Sequence, residues 1–388
     1  MRASRLVTLV GMLTAGCLLA FVSKVAAQGT ANPWAEPQDA RQALFEPDGY
    51  AWRLFVALNW PADVRNREPD VGKVLGAPGS VVWEVWRNVN KDAPDPVFTA
   101  TGADPGPWLT GPVAVASVTR RSNQFEPFNR TRRFAEQATR RPGDPATAFV
   151  PTEPGAQEVR MNRQAYTFVR DNGFYRQAAL RAAIANGKPI NFPAGAKEVK
   201  AVWSKLDNPA DKDRYHWAEV VPNNGAPEVW GLIALHITTK DIPQWFWATF
   251  EHIDNKTRRG RVNWQTASVD RAACPAPPHG CDGVPQNLGL AGTKWANYRL
   301  RGTQTNFTDM LGNPTILANA QIEPQQQTSS CMTCHARAGM NREGEPLSAD
   351  ELAVGAPKRE WYFDRVTGQQ KFMQLDFAFT LQRAYNGP

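Results

Sequence analysis

The run Cys331-Met332-Thr333-Cys334-His335 constrains this chain more than any other stretch. Residues three and four apart share a helix face, so Cys331, Cys334 and His335 would project together if Ser330 caps a short helix. Two thiols and an imidazole on one face suit covalent attachment. The thiols add across the vinyl groups of one haem, and the adjacent imidazole reaches the iron. The expectation is one haem c, with Cys331 and Cys334 as attachment points and His335 as proximal ligand; the sequence holds no second C-x-x-C-H. Zinc is the rival reading, because the same residue types ligate it, but zinc needs a fourth ligand and a reducing compartment. A simple Cys331–Cys334 disulfide is a third.

The compartment is read from the start of the chain. A basic Met1-Arg2-Ala3-Ser4-Arg5, an apolar run from Leu6 to Val22 and a small-x-small end at Val25-Ala26-Ala27 predict a signal peptide over residues 1–27. The mature protein is then periplasmic or otherwise exported, with no membrane span after signal removal. Lipid anchoring at Cys17 is disfavoured, since the apolar run continues through Leu18-Leu19-Ala20-Phe21-Val22 where a lipidated terminus turns polar.

Cysteine use agrees with export. Of 5 cysteines, one leaves with the leader and two go to haem, which leaves Cys274 and Cys281 to pair across Pro275-Ala276-Pro277-Pro278-His279-Gly280. The charge balance, 44 Lys and Arg against 37 Asp and Glu, is mildly basic, and Arg2, Arg5 and Lys24 of that excess lie in the leader. Basic runs such as Arg130-Thr131-Arg132-Arg133 lack interleaved aromatics. They read as solvated faces, with docking to a redox partner protein as the weaker reading and nucleic acid weaker still.

Patterning along the chain predicts an α+β fold: a β-rich aromatic body over 28–300, built as a sheet or sandwich with peripheral helices, and a haem-binding C-terminal region over 301–388 packed on it. Trp52, Phe55 and Val56 suit a helix that stops before Pro61, and Phe174 to Ile184 suit one over Asn172 to Asn186. Residues 102–154, dense in Pro, Gly, Arg and Thr, read as irregular. Strand-like runs follow at 198–203, 216–221 and 228–237, the last apolar enough to be central. The pattern over 359–379 predicts a hairpin around Thr367-Gly368-Gln369.

The second axial position separates an electron carrier from an enzyme. His252 ranks first, His236 second and Met373 third. Phe250, His252 and Asp254 share a face on a strand; Trp245, Thr249 and His252 share one on a helix. Either arrangement places Glu251 or Asp254 near enough to orient the imidazole. For an enzyme, His252, His236 and Glu251 are the acid–base candidates. The structural alternative for each histidine is a hydrogen-bonded core residue, and for Met373 a core methionine. His216, His279, Met310 and Met340 rank lower.

With these residues in hand, the chain resembles a group of exported bacterial mono-haem cytochrome c family proteins. The resemblance rests on Trp52-Arg53-Leu54-Phe55-Val56-Ala57-Leu58-Asn59-Trp60-Pro61, on Leu235-His236-Ile237 with the stretch from Trp245 to Asn255, and on Ser329-Ser330-Cys331-Met332-Thr333-Cys334-His335. It spans most of the mature chain and implies one long mono-haem architecture. The chain departs from it at Asp376-Phe377-Ala378-Phe379, where relatives are expected to carry a tryptophan. The expected function is single-electron transfer; the alternative is a haem oxidoreductase of peroxidase or oxygenase type with an open distal site.

Overall fold

The computed structural model describes residues 32–110, 119–121, 126–127, 156–222, 225–255, 270–274, 283–319, 321–322, 329–347 and 354–387. The expected signal peptide, Cys17, His279 and Cys281 lie outside the described residues, as does most of the stretch 102–154. Residues from Pro33 onward form one compact unit.

Four helices bear on the site: α1 (Pro47–Leu58), α2 (Arg163–Asp171), α3 (Gln177–Ala185) and α4 (Cys331–Ala336). The longer strands are β1 (Ala156–Met161), β2 (Lys197–Lys205), β3 (Trp217–Val221), β4 (Glu228–Thr239), β5 (Phe246–His252) and β6 (Tyr298–Gln304). They belong to a nine-stranded sheet in the order β6-β5-β4-β2-β1, with Arg87–Asn88 at the far edge and β3 added on β4. The β-rich body with peripheral helices is therefore an α+β fold built on a sheet, and β4 is central as its apolar run requires. Among the described residues no helix is long and apolar enough to cross a membrane.

Successive strand side chains point to opposite faces, and the register assigns each residue to one. Val199 pairs with Ile237 and Ala201 with Leu235; across β5, Ile237 meets Ala248 and Leu235 meets Phe250. This apolar face packs on α1. The Phe250 ring lies 4.4 Å from Phe55 and 5.1 Å from Trp52 between centroids, and Tyr50 meets Phe246 at 5.0 Å. The helix ends before Pro61 as expected, with Asn59 bonding back to the Phe55 carbonyl.

The same face carries a dry ionic network. Arg160 bridges Glu158 at 3.0 Å and Asp95 at 3.7 Å, Arg67 holds Asp95 at 2.9 Å, and Trp203 Nε1 donates to Glu158 at 3.0 Å. Burial pushes the Asp95 carboxyl up, against the pull of Arg160 and Arg67. His216 lies beside it, 2.9 Å from Glu84 and stacked on Trp295. It belongs to the core.

Two elements differ from expectation. The helix predicted over Asn172 to Asn186 begins only at Gln177, because Gly173 takes φ +69° and closes a preceding amphipathic helix, α2, with Ala165, Tyr166 and Val169 on its buried face. The predicted hairpin over 359–379 reduces to a single Phe363–Gln370 bridge; Arg359–Tyr362 is helical, and Met373–Gln374 pairs with Gly339–Met340 instead.

Phe250→Ala removes the ring on which α1 sits. A large-to-small change at such a site costs about 3–5 kcal/mol, to be read as a lower urea midpoint at unchanged slope.

Candidate functional site

Ser330 caps α4 as anticipated: its Oγ accepts from the Thr333 amide at 3.1 Å. Within the helix, Met332, Thr333 and Ala336 are buried, while Cys331, Cys334 and His335 are only part-buried. The three donors of the motif thus share the open face.

Six residues are too few to form a stable helix alone, and the sheet supplies the rest. Gln304, the last residue of β6, donates from Nε2 to Ser330 Oγ at 2.7 Å and accepts from the Met332 amide through Oε1 at 3.0 Å. Thr333 Oγ1 donates to the Gly355 carbonyl at 2.7 Å, and Tyr362 closes the C-terminal turn by donating to the Ala336 carbonyl. Gln304 lies opposite Trp247 in the β5–β6 register, and the Trp247 ring centroid sits 4.5 Å from that of His335. Phe379 meets the same imidazole at 5.1 Å.

His335 Nδ1 lies 2.8 Å from the Phe377 carbonyl. A carbonyl only accepts, so Nδ1 carries the hydrogen and Nε2 is left as the electron-pair donor. Such a contact fixes the tautomer of a ligating histidine and its ring plane.

A cavity of about 180 Å³ separates α4 from the polar face of the sheet. Cys331, Cys334 and His335 line one side, with Phe379, Thr380 and Arg383. The opposite side is built of strand neighbours: Val159, Lys200 and His236 form one cross-strand row, and Glu198, Thr238 and Trp247 the next. Loss of water raises the Glu198 carboxyl to about 7, although Thr380 Oγ1 donates to it at 2.7 Å.

Of the second-ligand candidates, the cavity takes in His236 alone. His252 lies elsewhere: it shares the apolar face with Phe250, where it is fully buried and stacked on Tyr215 at 3.7 Å. Its Nε2 lies 3.0 Å from the Arg214 carbonyl, and its Nδ1 accepts from the Asp254 amide at 3.2 Å. Asp254 does approach this imidazole, at 3.7 Å, whereas Glu251 points away and faces Arg301 at 3.8 Å. Met373 is not among the cavity residues and pairs with the buried Met340. Met310 is fully exposed. Cys274 is disulfide-bonded, while the partner expected for it, Cys281, lies outside the described residues.

Sequence reasoning passes over Glu198, Lys200, Gln304 and Arg383. The usable signal is the alternation Glu198-Val199-Lys200-Ala201, which puts two ionisable groups on the face opposite a core pair. Among the described residues, no group of three or more His, Cys, Asp or Glu side chains is placed to hold a bare metal ion. No family model, curated protein or solved structure matches this chain.

This geometry has two measurable outcomes. Ser330→Ala removes the cap and the Gln304 contact together, and should cost about 1–2 kcal/mol in chemical denaturation. For Glu198, the folded state holds its proton up to about pH 7 while the unfolded chain releases it near the ordinary value of 4.5. The unfolded state therefore binds fewer protons between these values, and stability falls as pH rises through that window before levelling off. Thermal melts of the apoprotein should show this slope, and Glu198→Gln should flatten it.

Proposed function

We propose that this chain is an exported mono-haem c-type cytochrome that binds haem covalently and passes single electrons to and from a redox partner protein. One observation carries the reading: a capped helix turns Cys331, Cys334 and His335 into one cavity whose lining also includes His236. Cys331 and Cys334 would form the thioether bonds, and His335 Nε2 would be the proximal ligand. His236 replaces His252 as the leading second ligand. Bound there, the haem supplies a one-electron iron couple.

The remaining residues hold and insulate. Trp247 and Phe379 pack against the His335 ring, and the Phe377 carbonyl holds the proton on Nδ1. The donor set suits haem better than zinc, since thioether attachment asks the thiols to lie along the edge of a macrocycle and not to converge on one ion. The disulfide at Cys274 supports an oxidising compartment.

A second reading, a haem oxidoreductase with an open distal position, draws on the ionisable part of that lining. There His236 would exchange a proton at its ring nitrogen, with Glu198 in the neighbouring row.

Protein matured with haem c separates the two. The carrier predicts a low-spin, six-coordinate spectrum that ignores carbon monoxide; His236→Ala should turn it high-spin and open it to carbon monoxide, while His252→Ala should lower stability and leave the spectrum alone. A parent protein that binds carbon monoxide readily favours the oxidoreductase. Failure to attach haem at all removes both readings.

A further inference from the structure

The carbonyl that meets His335 belongs to an unusual turn. Asp376 and Phe377 take φ +48° and +68°, two successive non-glycine residues in the left-handed region. Side chains with a Cβ resist that conformation, so such a turn persists only where its surroundings fix it. Here the fixing group is the Asp376 carboxylate. Its Oδ2 accepts from the Phe192 amide at 2.7 Å and its Oδ1 from Lys240 Nζ at 2.5 Å, with both side chains almost wholly buried.

Lys240 is itself held. Its Nζ donates to the Pro243 carbonyl at 2.9 Å, and its amide bonds the Ala196 carbonyl at 2.8 Å just before β2. A continuous chain of contacts therefore runs from the sheet through Lys240 and Asp376 to the Phe377 carbonyl and on to His335 Nδ1.

We propose that Asp376, clamped by Lys240 and the Phe192 amide, is a positioning residue that aims the Phe377 carbonyl at His335 and thereby sets how strongly that imidazole donates to iron. The inference rests on the haem reading above. A firmly accepting carbonyl on Nδ1–H makes the imidazole more basic at Nε2 and favours the ferric state. Releasing the clamp should weaken that bond, leave the imidazole a poorer donor and raise the midpoint potential.

The test uses the full chain matured with haem c, as the parent and as the Asp376→Asn, Lys240→Met and Lys240→Arg variants. Both of the first two should retain covalent haem and His335 ligation while shifting the oxidised-to-reduced ratio about tenfold toward reduced, which is about 59 mV for a one-electron couple. Their ferric EPR anisotropy should change as the ring plane loosens, and Lys240→Arg, which keeps the charge, should return toward the parent value. Variants that lose thermal stability yet keep the parent potential and EPR spectrum overturn the positioning role and leave the haem reading intact. A parent chain without covalent haem overturns both.

Discussion

Everything in this protein hangs on the two-residue alternation of β1, β2, β4 and β5. One parity of those strands gives Val199, Ala201, Leu235, Ile237, Ala248 and Phe250, which face α1. The other gives Val159, Glu198, Lys200, His236, Thr238 and Trp247, which face the cavity. A one-residue slip in any of these strands would turn that strand's side chains to the opposite face. The aromatic packing on α1 thus fixes more than stability: it decides which histidine and which carboxylate stand opposite the C-x-x-C-H helix.

The same rule explains which parts of the site are legible in the sequence. Cys331, Cys334 and His335 lie within five residues, so one cap and one turn determine their common face, and both follow from Ser330. His252 does share a strand face with Phe250, but that face is turned away from α4. Parity within a strand is visible in sequence, whereas the face covered by α1 depends on contacts such as Phe55 with Phe250, nearly two hundred residues apart. The strand at 228–237 is legible because a long apolar run in a sheet protein belongs at its centre. The break at Gly173 is not, because a glycine within an apolar helical pattern marks a stop only when its φ turns positive.

The apolar face also holds charge. Arg67, Asp95, Arg160 and Glu158 are almost fully excluded from water and bonded among themselves and to Trp203. Removing one partner from such a group typically costs about 3–5 kcal/mol, because the remaining charge is left buried. Glu158 and Arg160 alternate with Gln157 and Val159 along β1, so the strand that contributes to the cavity is held on its other side by ionic bonds. The cavity on the other face of that strand carries Glu198, whose ionisation is costly there.

Gln304 joins the motif helix to the last strand of the sheet, and this gives the chain an order of assembly. Until β6 has paired with β5, the Gln304 contacts to Ser330 and Met332 are missing, and a six-residue helix short of its tertiary contacts does not survive in water. Cys331 and Cys334 then belong to an unstructured segment, open on all sides to enzymes and oxidants. Once Gln304 is in place, the thiols are confined to one face over a cavity behind Trp247. A thiol reagent therefore meets two different substrates, one before the sheet closes and one after.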